Sequence, residues 1–136
     1  MKRKSSLLLS IIGIAILFTL QQCTDGKSSF RKVLLQASEQ VNKQCPMTVD
    51  SETRLDNTIV VGDDVIQYNY TLTEDTKETL DTTKLREAMI PIATNQIKTT
   101  PATETLRKHN TIFSYLYRDK NSAYAFSFSV TPEMYK

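Results

Sequence analysis

Two segments, residues 66–72 and 124–130, alternate apolar with polar residues, and this alternation constrains the fold more than any other feature of the sequence. Successive side chains of a strand point to opposite faces of its sheet. Each segment therefore predicts a strand with one packed face and one solvent-facing face, as antiparallel sheets have. The apolar positions of the second segment are Tyr124, Phe126, Phe128 and Val130.

Each alternating segment forms the second half of a predicted β-hairpin. The β-branched run Ile59-Val60-Val61 precedes the first, and Gly62-Asp63 or Asp63-Asp64 supplies its turn. Residues 112–117 precede the second, and a polar turn at residues 119–122 connects its strands. The sequence thus predicts two hairpins, within residues 53–72 and 111–130.

Helical spacing appears before each hairpin. An apolar stripe predicts a first helix that starts at Phe30 and stops near Gln44, because Pro46 disfavours helix at the residue before it. A second helix should begin near Asp81 or Thr82, and Pro91 should kink it or split it in two. The residues expected to face inward on this helix are Leu85, Met89, Ile92, Ala93 and Ile97.

Thr100-Pro101 predicts a further short helix over residues 101–108. The order helix, hairpin, helices, hairpin predicts an α+β fold. We expect two layers, a four-stranded antiparallel sheet with helices on one face, within a single domain at residues 30–134. The pattern does not decide the strand order.

The N-terminus has the composition of an export signal. Lys2, Arg3 and Lys4 precede residues 7–20, which carry no charge. A fourteen-residue helix rises about 21 Å, less than the ~30 Å hydrocarbon core of a bilayer. A signal peptide at residues 1–22 is the preferred interpretation, with an uncleaved N-terminal membrane anchor as the alternative.

Leu20-Gln21-Gln22-Cys23 resembles the lipobox of bacterial lipoproteins, although Gln22 stands where that pattern has a small residue. The resemblance implies acylation of Cys23, a short tether at residues 23–29 and a membrane-anchored lipoprotein facing the periplasm or the exterior. Two or three acyl chains would anchor it stably. The alternative is a soluble secreted or periplasmic protein, in which Cys23 and Cys45 could form a bridge.

A second resemblance covers most of residues 30–134. It is carried by Cys45-Pro46, Val49-Asp50, Thr53-Arg54-Leu55-Asp56, the Tyr-rich segment 68–70 and Thr131-Pro132-Glu133. These residues resemble a family of small bacterial exported proteins and lipoproteins whose function is uncharacterised. The resemblance implies export and a single domain, and it implies no activity.

Charge and motifs exclude several classes of function. A chain starting at Cys23 carries 14 basic and 15 acidic residues, which gives no electrostatic case for nucleic acid. Two cysteines and one histidine cannot form a structural zinc site. His109 has no nucleophile at motif spacing. The charged run from Asp50 through Glu52 and Arg54 to Asp56 is interpreted as a solvated loop and strand entry, with one polar strand surface for a ligand or partner as the alternative. We therefore expect no enzyme, no metal and no cofactor.

The aromatic residues of the predicted strands are the remaining signal. Tyr68, Tyr70, Tyr115 and Tyr117 either pack in the core or form a peptide- or protein-binding surface. The first hypothesis is a tethered, non-enzymatic binding or accessory protein of the cell envelope, in a pilotin-like, inhibitor-like or adaptor role.

The second hypothesis is a small-molecule or lipid-binding periplasmic domain with a cleft between helices and sheet. It predicts an apolar cavity under the helix that contains Pro91, lined by Tyr68, Met89 and Phe126.

The lipidation hypothesis predicts the intact mass of the membrane-extracted protein. We expect the mass of a chain cleaved before Cys23 plus its acyl chains, and loss of those chains in a Cys23→Ala variant. A mass for cleavage elsewhere would indicate a soluble exported protein. A mass for all 136 residues would indicate a single membrane anchor and rule out the lipoprotein.

Overall fold

The computed structural model describes residues 26–136, so the predicted signal peptide, its lipobox and Cys23 lie outside the described residues. No helix within 26–136 combines the length and the apolar character needed to cross a membrane. The elements, in chain order, are α1 Gly26–Asn42, β1 Met47–Asp50, β2 Thr53–Val61, β3 Val65–Leu72, a 3-10 helix Lys77–Thr79, α2 Thr82–Thr99, a 3-10 helix Pro101–Thr103, α3 Glu104–Lys108, β4 Ile112–Arg118, β5 Tyr124–Val130 and α4 Pro132–Tyr135.

The five strands form one mixed sheet in the order β1-β2-β3-β4-β5. The class is α+β as predicted, but the four-stranded antiparallel sheet is wrong in two respects. The sheet has an additional edge strand, β1, and its central pair, β3 and β4, is parallel. The other neighbouring strands are antiparallel.

The long connection between the hairpins permits the parallel pairing. Two antiparallel strands can be joined by a tight turn, whereas parallel strands need a crossover of a dozen or more residues. Residues 73–111 are such a crossover and contain α2 and α3. The sequence predicted this connection correctly, but alternation within a strand carries no information about the direction of its neighbour.

Both predicted hairpins are present. In the first, β2 and β3 pair from Thr53↔Leu72 to Val61↔Val65, and the turn contains Gly62. The φ angle of Gly62 is +62°, a left-handed conformation that glycine adopts without the steric cost of a Cβ. In the second hairpin, β4 and β5 pair from Phe113↔Val130 onward.

α1 begins at Gly26, earlier than predicted, because an apolar stripe marks the buried face of a helix and not its first residue. On that face Phe30 and Leu34 are buried, while Val33 is 37% exposed. Ser38, one turn after Leu34, is also buried and contacts β2. The buried face of this helix therefore includes a polar residue, Ser38.

A group of buried hydrogen bonds, here called the Asn42 latch, joins the end of α1 to β2. The Asn42 side chain accepts from the Thr58 N–H at 2.7 Å and donates to the Thr58 carbonyl at 2.9 Å. The hydroxyls of Ser38 and Thr58 lie 2.7 Å apart. Since β1 pairs with β2 only from Thr53 to Leu55, the Asn42 amide occupies the place that a neighbouring strand would take beside Thr58.

α2 is a single helix that continues through Pro91, so the predicted split is not observed. The Asp81 side chain caps its N-terminus by accepting from the Lys84 N–H at 3.2 Å. Ala93 and Ile97 are buried as predicted, but Ile92 is 67% exposed and the inward assignment of this residue is wrong.

The buried carboxylate of Asp119 joins the start of the crossover to the turn between β4 and β5. It accepts hydrogen bonds from the N–H groups of Asn121 and Ala123 in the β4–β5 turn, and from that of Lys77 before α2. Burial raises the pKa of Asp119, but these donors and the Lys77 charge outweigh it, and the pKa is lower than usual. The carboxylate thereby stays ionised and holds the start of the crossover against the sheet.

The Asn42 latch predicts a specific loss of stability. Asn42→Ala removes the partner of the Thr58 N–H and one of the two donors to the Thr58 carbonyl, which keeps the Ser38 hydroxyl. We expect the free energy of unfolding to fall by about 1–3 kcal/mol because a buried N–H is left unpaired. Urea unfolding followed by circular dichroism measures this change.

The matched control is Asn57→Ala, which removes an exposed amide bonded to Asn69 on the other sheet face. We expect a change within about 0.5 kcal/mol. Equal losses in the two variants would show that the latch does not stabilise the edge of β2.

Candidate functional site

Two rows of aromatic rings cross the helix-facing side of the sheet. In the first row, Tyr68 stacks on Tyr115 with ring centroids 5.5 Å apart, and Tyr115 stacks on Phe128 at 4.9 Å. The parallel register of β3 and β4 places Tyr68 beside Tyr115 and Tyr70 beside Tyr117. The rows therefore depend on the strand pairing that the sequence did not predict.

The second row repeats the arrangement one pleat further along the strands. Tyr70 stacks on Tyr117 at 4.9 Å, and Tyr117 stacks on Phe126 at 4.6 Å. The interplanar angles of these two pairs are 11° and 7°. All four tyrosines proposed from the sequence as a binding surface thus lie together on two adjacent strands.

A groove runs above these rows beside α2 and is here called the tyrosine trough. Two adjoining cavities of about 230 Å³ each form it, and Tyr70, Tyr115 and Gln96 line both. Tyr117 lines one of the cavities and Tyr68 lines the other. The four tyrosines form the floor, and residues of α2 form one wall.

Exposed apolar side chains flank the trough. Ile92 of α2 is 67% exposed and Val49 of β1 is 53% exposed, and both line the cavity over Tyr117. Met89 of α2 lies between this cavity and the next. Single apolar residues on a surface are ordinary, but apolar residues that flank an aromatic groove are typical of interaction sites.

The trough tyrosines are held in their neutral form. Burial, together with smaller contributions from the nearby Tyr68 and Cys45, raises the pKa of Tyr70 to about 12. Burial likewise raises the pKa values of Tyr68, Tyr115 and Tyr117. No hydrogen bond joins any of these four hydroxyls to another described side chain or backbone group, so each can donate to a ligand.

One end of the trough is acidic. A further cavity of about 410 Å³ adjoins it at Met89, and Asp50, Glu52 and Asp75 line this cavity. Among the described residues that line the three cavities there is no lysine or arginine. A ligand of the trough would therefore meet aromatic rings along most of its length and carboxylates at one end.

The other residues considered from the sequence lie elsewhere. Asp50 ends β1 and Glu52 lies in the following turn, whereas Arg54 forms an ion pair with Asp56 at 2.6 Å on β2. The preferred interpretation, a solvated loop and strand entry, agrees with this arrangement, whereas the alternative of one charged strand surface does not, because a turn divides it. His109 stacks on Phe30 at 4.3 Å, and a hydrogen bond of 2.9 Å joins its Nδ1 to the Thr105 carbonyl.

The cleft predicted under α2 exists in a different form. Met89 and Phe126 line the acidic-end cavity, while Tyr68 lines the cavity at the far end of the trough. The three residues therefore do not line one cavity. Within residues 26–136 no group of three His, Cys, Asp or Glu side chains is placed to hold a metal ion.

Sequence reasoning missed β1, Val49 and Gln96 as parts of this site. Residues 47–49 do alternate apolar and polar, but four residues are too short to separate a strand from a loop. Gln96 lies one position before the buried Ile97, so helical spacing could have placed it at the border of the buried face.

Sequence comparison matches the chain to one family of unknown function. The profile of a family described as a domain of unknown function (DUF8479) matches residues 28–126. No curated protein is similar to the chain in sequence.

Three solved structures share the architecture. A Pseudomonas aeruginosa protein described as secreted has a TM-score of 0.69 at 9% identity, covering 81% of this chain and 96% of that one. The type 2 secretion system pilotin of Vibrio vulnificus has a TM-score of 0.64 at 6% identity, covering 81% and 94%. The Type II secretion system pilotin of Vibrio cholerae has a TM-score of 0.60 at 8% identity, covering 79% and 94%.

The trough tyrosines, of which Tyr117 is buried and the other three are half-buried, predict destabilisation at alkaline pH. In the unfolded chain they ionise near pH 10, whereas in the folded chain they ionise only at higher pH, near 12 for Tyr70. Their contribution to stability is complete below pH 10 and is lost as pH rises through the folded pKa. We expect tyrosinate absorbance to increase when urea unfolds the protein between pH 10 and 12.

Tyr115→Phe should weaken this alkaline loss of stability, because one half-buried ionisable group is removed. Tyr124→Phe is the matched control, since the side chain of Tyr124 is 53% exposed, and it should leave the pH profile unchanged. Equal profiles for the two variants would contradict the burial of Tyr115.

Proposed function

The chain belongs to the DUF8479 family, a domain of unknown function, and from this premise we propose that it is an exported accessory protein of the bacterial cell envelope that binds a partner in the tyrosine trough. The proposed location rests on the export signal, and the proposed anchor is acylated Cys23. A soluble secreted or periplasmic form and an uncleaved N-terminal anchor are the alternatives. The partner is another envelope protein and not a nucleic acid.

The shared fold supports the accessory role. One of the structures with this architecture is described as secreted and two are pilotins of secretion systems, at TM-scores of 0.60 to 0.69. Because the identities lie between 6% and 9%, the likeness itself concerns the fold. The role of this chain has to be argued from its own surface.

The observation that carries the proposal is the combination of exposed apolar flanks and an aromatic floor. Ile92 and Val49 are largely exposed and lie beside four tyrosines whose hydroxyls have no partner among the described residues. Aromatic side chains that offer a large apolar area and a polar tip are enriched at protein interfaces. A bound segment would cover the apolar flanks and provide acceptors for the hydroxyls.

We propose a binding role and not a catalytic one. The trough contains tyrosines, a glutamine and carboxylates, and its tyrosines have raised pKa values, which makes them poor bases near neutral pH. His109 lies against Phe30 and lines another cavity together with Asp63 and Asp64. We therefore assign no catalytic nucleophile and no general base to the described residues of the trough.

A small-molecule or lipid ligand is the second candidate. Its support is the apolar lining of the cavities beneath α2, whereas the exposed apolar flanks at Ile92 and Val49 favour a protein segment. Native mass spectrometry of the extracted protein distinguishes the candidates, because a bound lipid adds its mass to the folded chain.

Site-specific photo-crosslinking in cells tests the proposal. A photoreactive residue replaces Ile92, or as a control Val61, which is 45% exposed on the sheet face away from the helices. We expect an adduct with an envelope protein from position 92 and none from position 61. The adduct should weaken at least about tenfold when Cys23→Ala removes the anchor, because tethering raises the local concentration of the partner.

Equal adducts from the two positions, or none from position 92, would exclude the trough as the partner site. An adduct that is independent of Cys23 would retain the trough and remove the tether from the proposal.

A further inference from the structure

β1 has an open edge. It is the outermost strand and pairs only with β2, so alternate N–H and C=O groups of Met47–Asp50 point away from the sheet. All four of its residues are exposed. A row of unpaired backbone groups on an edge strand is a template for pairing with a further strand.

The same side of β2 is closed, in contrast. Beyond Leu55, which is the last residue of β2 that pairs with β1, the Asn42 amide bonds to both backbone groups of Thr58. The Arg31 Nε donates to the Gly62 carbonyl at 3.1 Å where β2 turns into β3. α1 thus satisfies the part of the edge that it reaches, whereas the edge of β1 has no such cover among the described residues.

The side chains beside the open edge are apolar and continue into the trough. Met47 is 37% exposed and Val49 is 53% exposed, and Val49 lines the trough opposite residues of α2. Natural edge strands are commonly protected by an inward charge, a lysine, a proline, a bulge, short length or a covering segment. β1 is short, follows Pro46 and is irregular between Thr48 and Asp50, but it carries no lysine and no cover among the described residues. β1 carries a valine at its centre, and the nearest charges, Asp50 and Glu52, lie at its end.

We propose that the open edge of β1 binds an extended segment of the partner protein by strand addition. The inference rests on the proposed function and specifies the partner of the same site. The backbone of the segment pairs with Met47–Asp50, and every second side chain points toward Val49 and Ile92 at the trough.

Charge complementarity specifies one further property of the segment. Asp50, Glu52 and Asp75 form the acidic end, and no lysine or arginine is among the described residues that line the trough or this end. A lysine or arginine that follows the apolar residues of the segment neutralises these carboxylates. The predicted partner motif is therefore an alternating apolar segment that ends in one or two basic residues.

Synthetic peptides test the strand addition on the full chain. The first probe alternates valine and threonine over eight residues and ends in two lysines. Two derivatives carry N-methyl groups, one on the valine amides and the other on the threonine amides. A third derivative replaces the lysines by glutamates, and an amphipathic leucine-alanine-lysine helix of equal charge is the comparison.

Isothermal titration and amide chemical shifts of Val49 provide the readout. Because only one set of alternate amides faces β1, we expect one N-methylated derivative to bind at least about tenfold more weakly and the other to bind as the parent peptide does. The glutamate peptide should also bind at least about tenfold more weakly, and added salt should reduce that difference.

Two variants localise the site. Val49→Lys places a charge on the open edge and should abolish binding of the first probe. Val61→Lys makes the same replacement at a residue of similar exposure outside the trough, and should leave binding unchanged. Circular dichroism of both variants verifies that each is folded.

Other binding results distinguish strand addition from other modes of binding. If the helical peptide binds more tightly and both N-methylated peptides bind equally, strand addition is excluded while the trough remains the partner site. If no peptide binds and position 92 gives no photo-crosslink, both proposals fail. Self-association of the parent chain that Val49→Lys removes would assign the edge to a second copy and overturn the inference.

Discussion

The parallel pairing of β3 with β4 is the constraint on which the rest of the structure depends. It joins the two hairpins into one sheet and sets Tyr68 beside Tyr115 and Tyr70 beside Tyr117. It also requires the crossover whose helix α2 covers β5 and forms a wall of the trough. Had the hairpins met through other strands, the four tyrosines would not share one floor, and the buried face would need a different cover.

The polar side chains on the two faces of the sheet differ in their hydrogen bonding. On the open face, Asn57, Asn69 and Gln67 form a chain of hydrogen bonds across two strands, and Asp56 accepts from Thr71 and Arg54. These side chains therefore bond to one another within the open face. In the trough the tyrosine hydroxyls have no such partners among the described residues, and this difference makes the covered face, not the open one, the candidate site.

Sequence patterns predicted the local elements well and their assembly poorly. The alternation of residues 124–130 and the Gly62 turn identified both hairpins, and the predicted start of α2 near Asp81 or Thr82 is confirmed. These features depend on contacts between residues close in sequence. The position of β1, the parallel central pair and the exposure of Ile92 depend on which surfaces meet across the fold, and a single sequence does not encode those contacts in its periodicity. The four tyrosines were found because they are aromatic and alternate, but the groove above them depends on α2.

The strand order also has a kinetic consequence. Each hairpin closes through a turn of a few residues, and both can form early and separately. Val65 and Ile112, by contrast, can pair only after the intervening crossover has folded back over the sheet. Contacts between residues distant in sequence slow folding because the loop must close before the contacts form. We therefore expect the joining of the two hairpins to limit the folding rate, so that the chain passes through a stage in which both tyrosine pairs are still apart and the aromatic faces of the hairpins are uncovered.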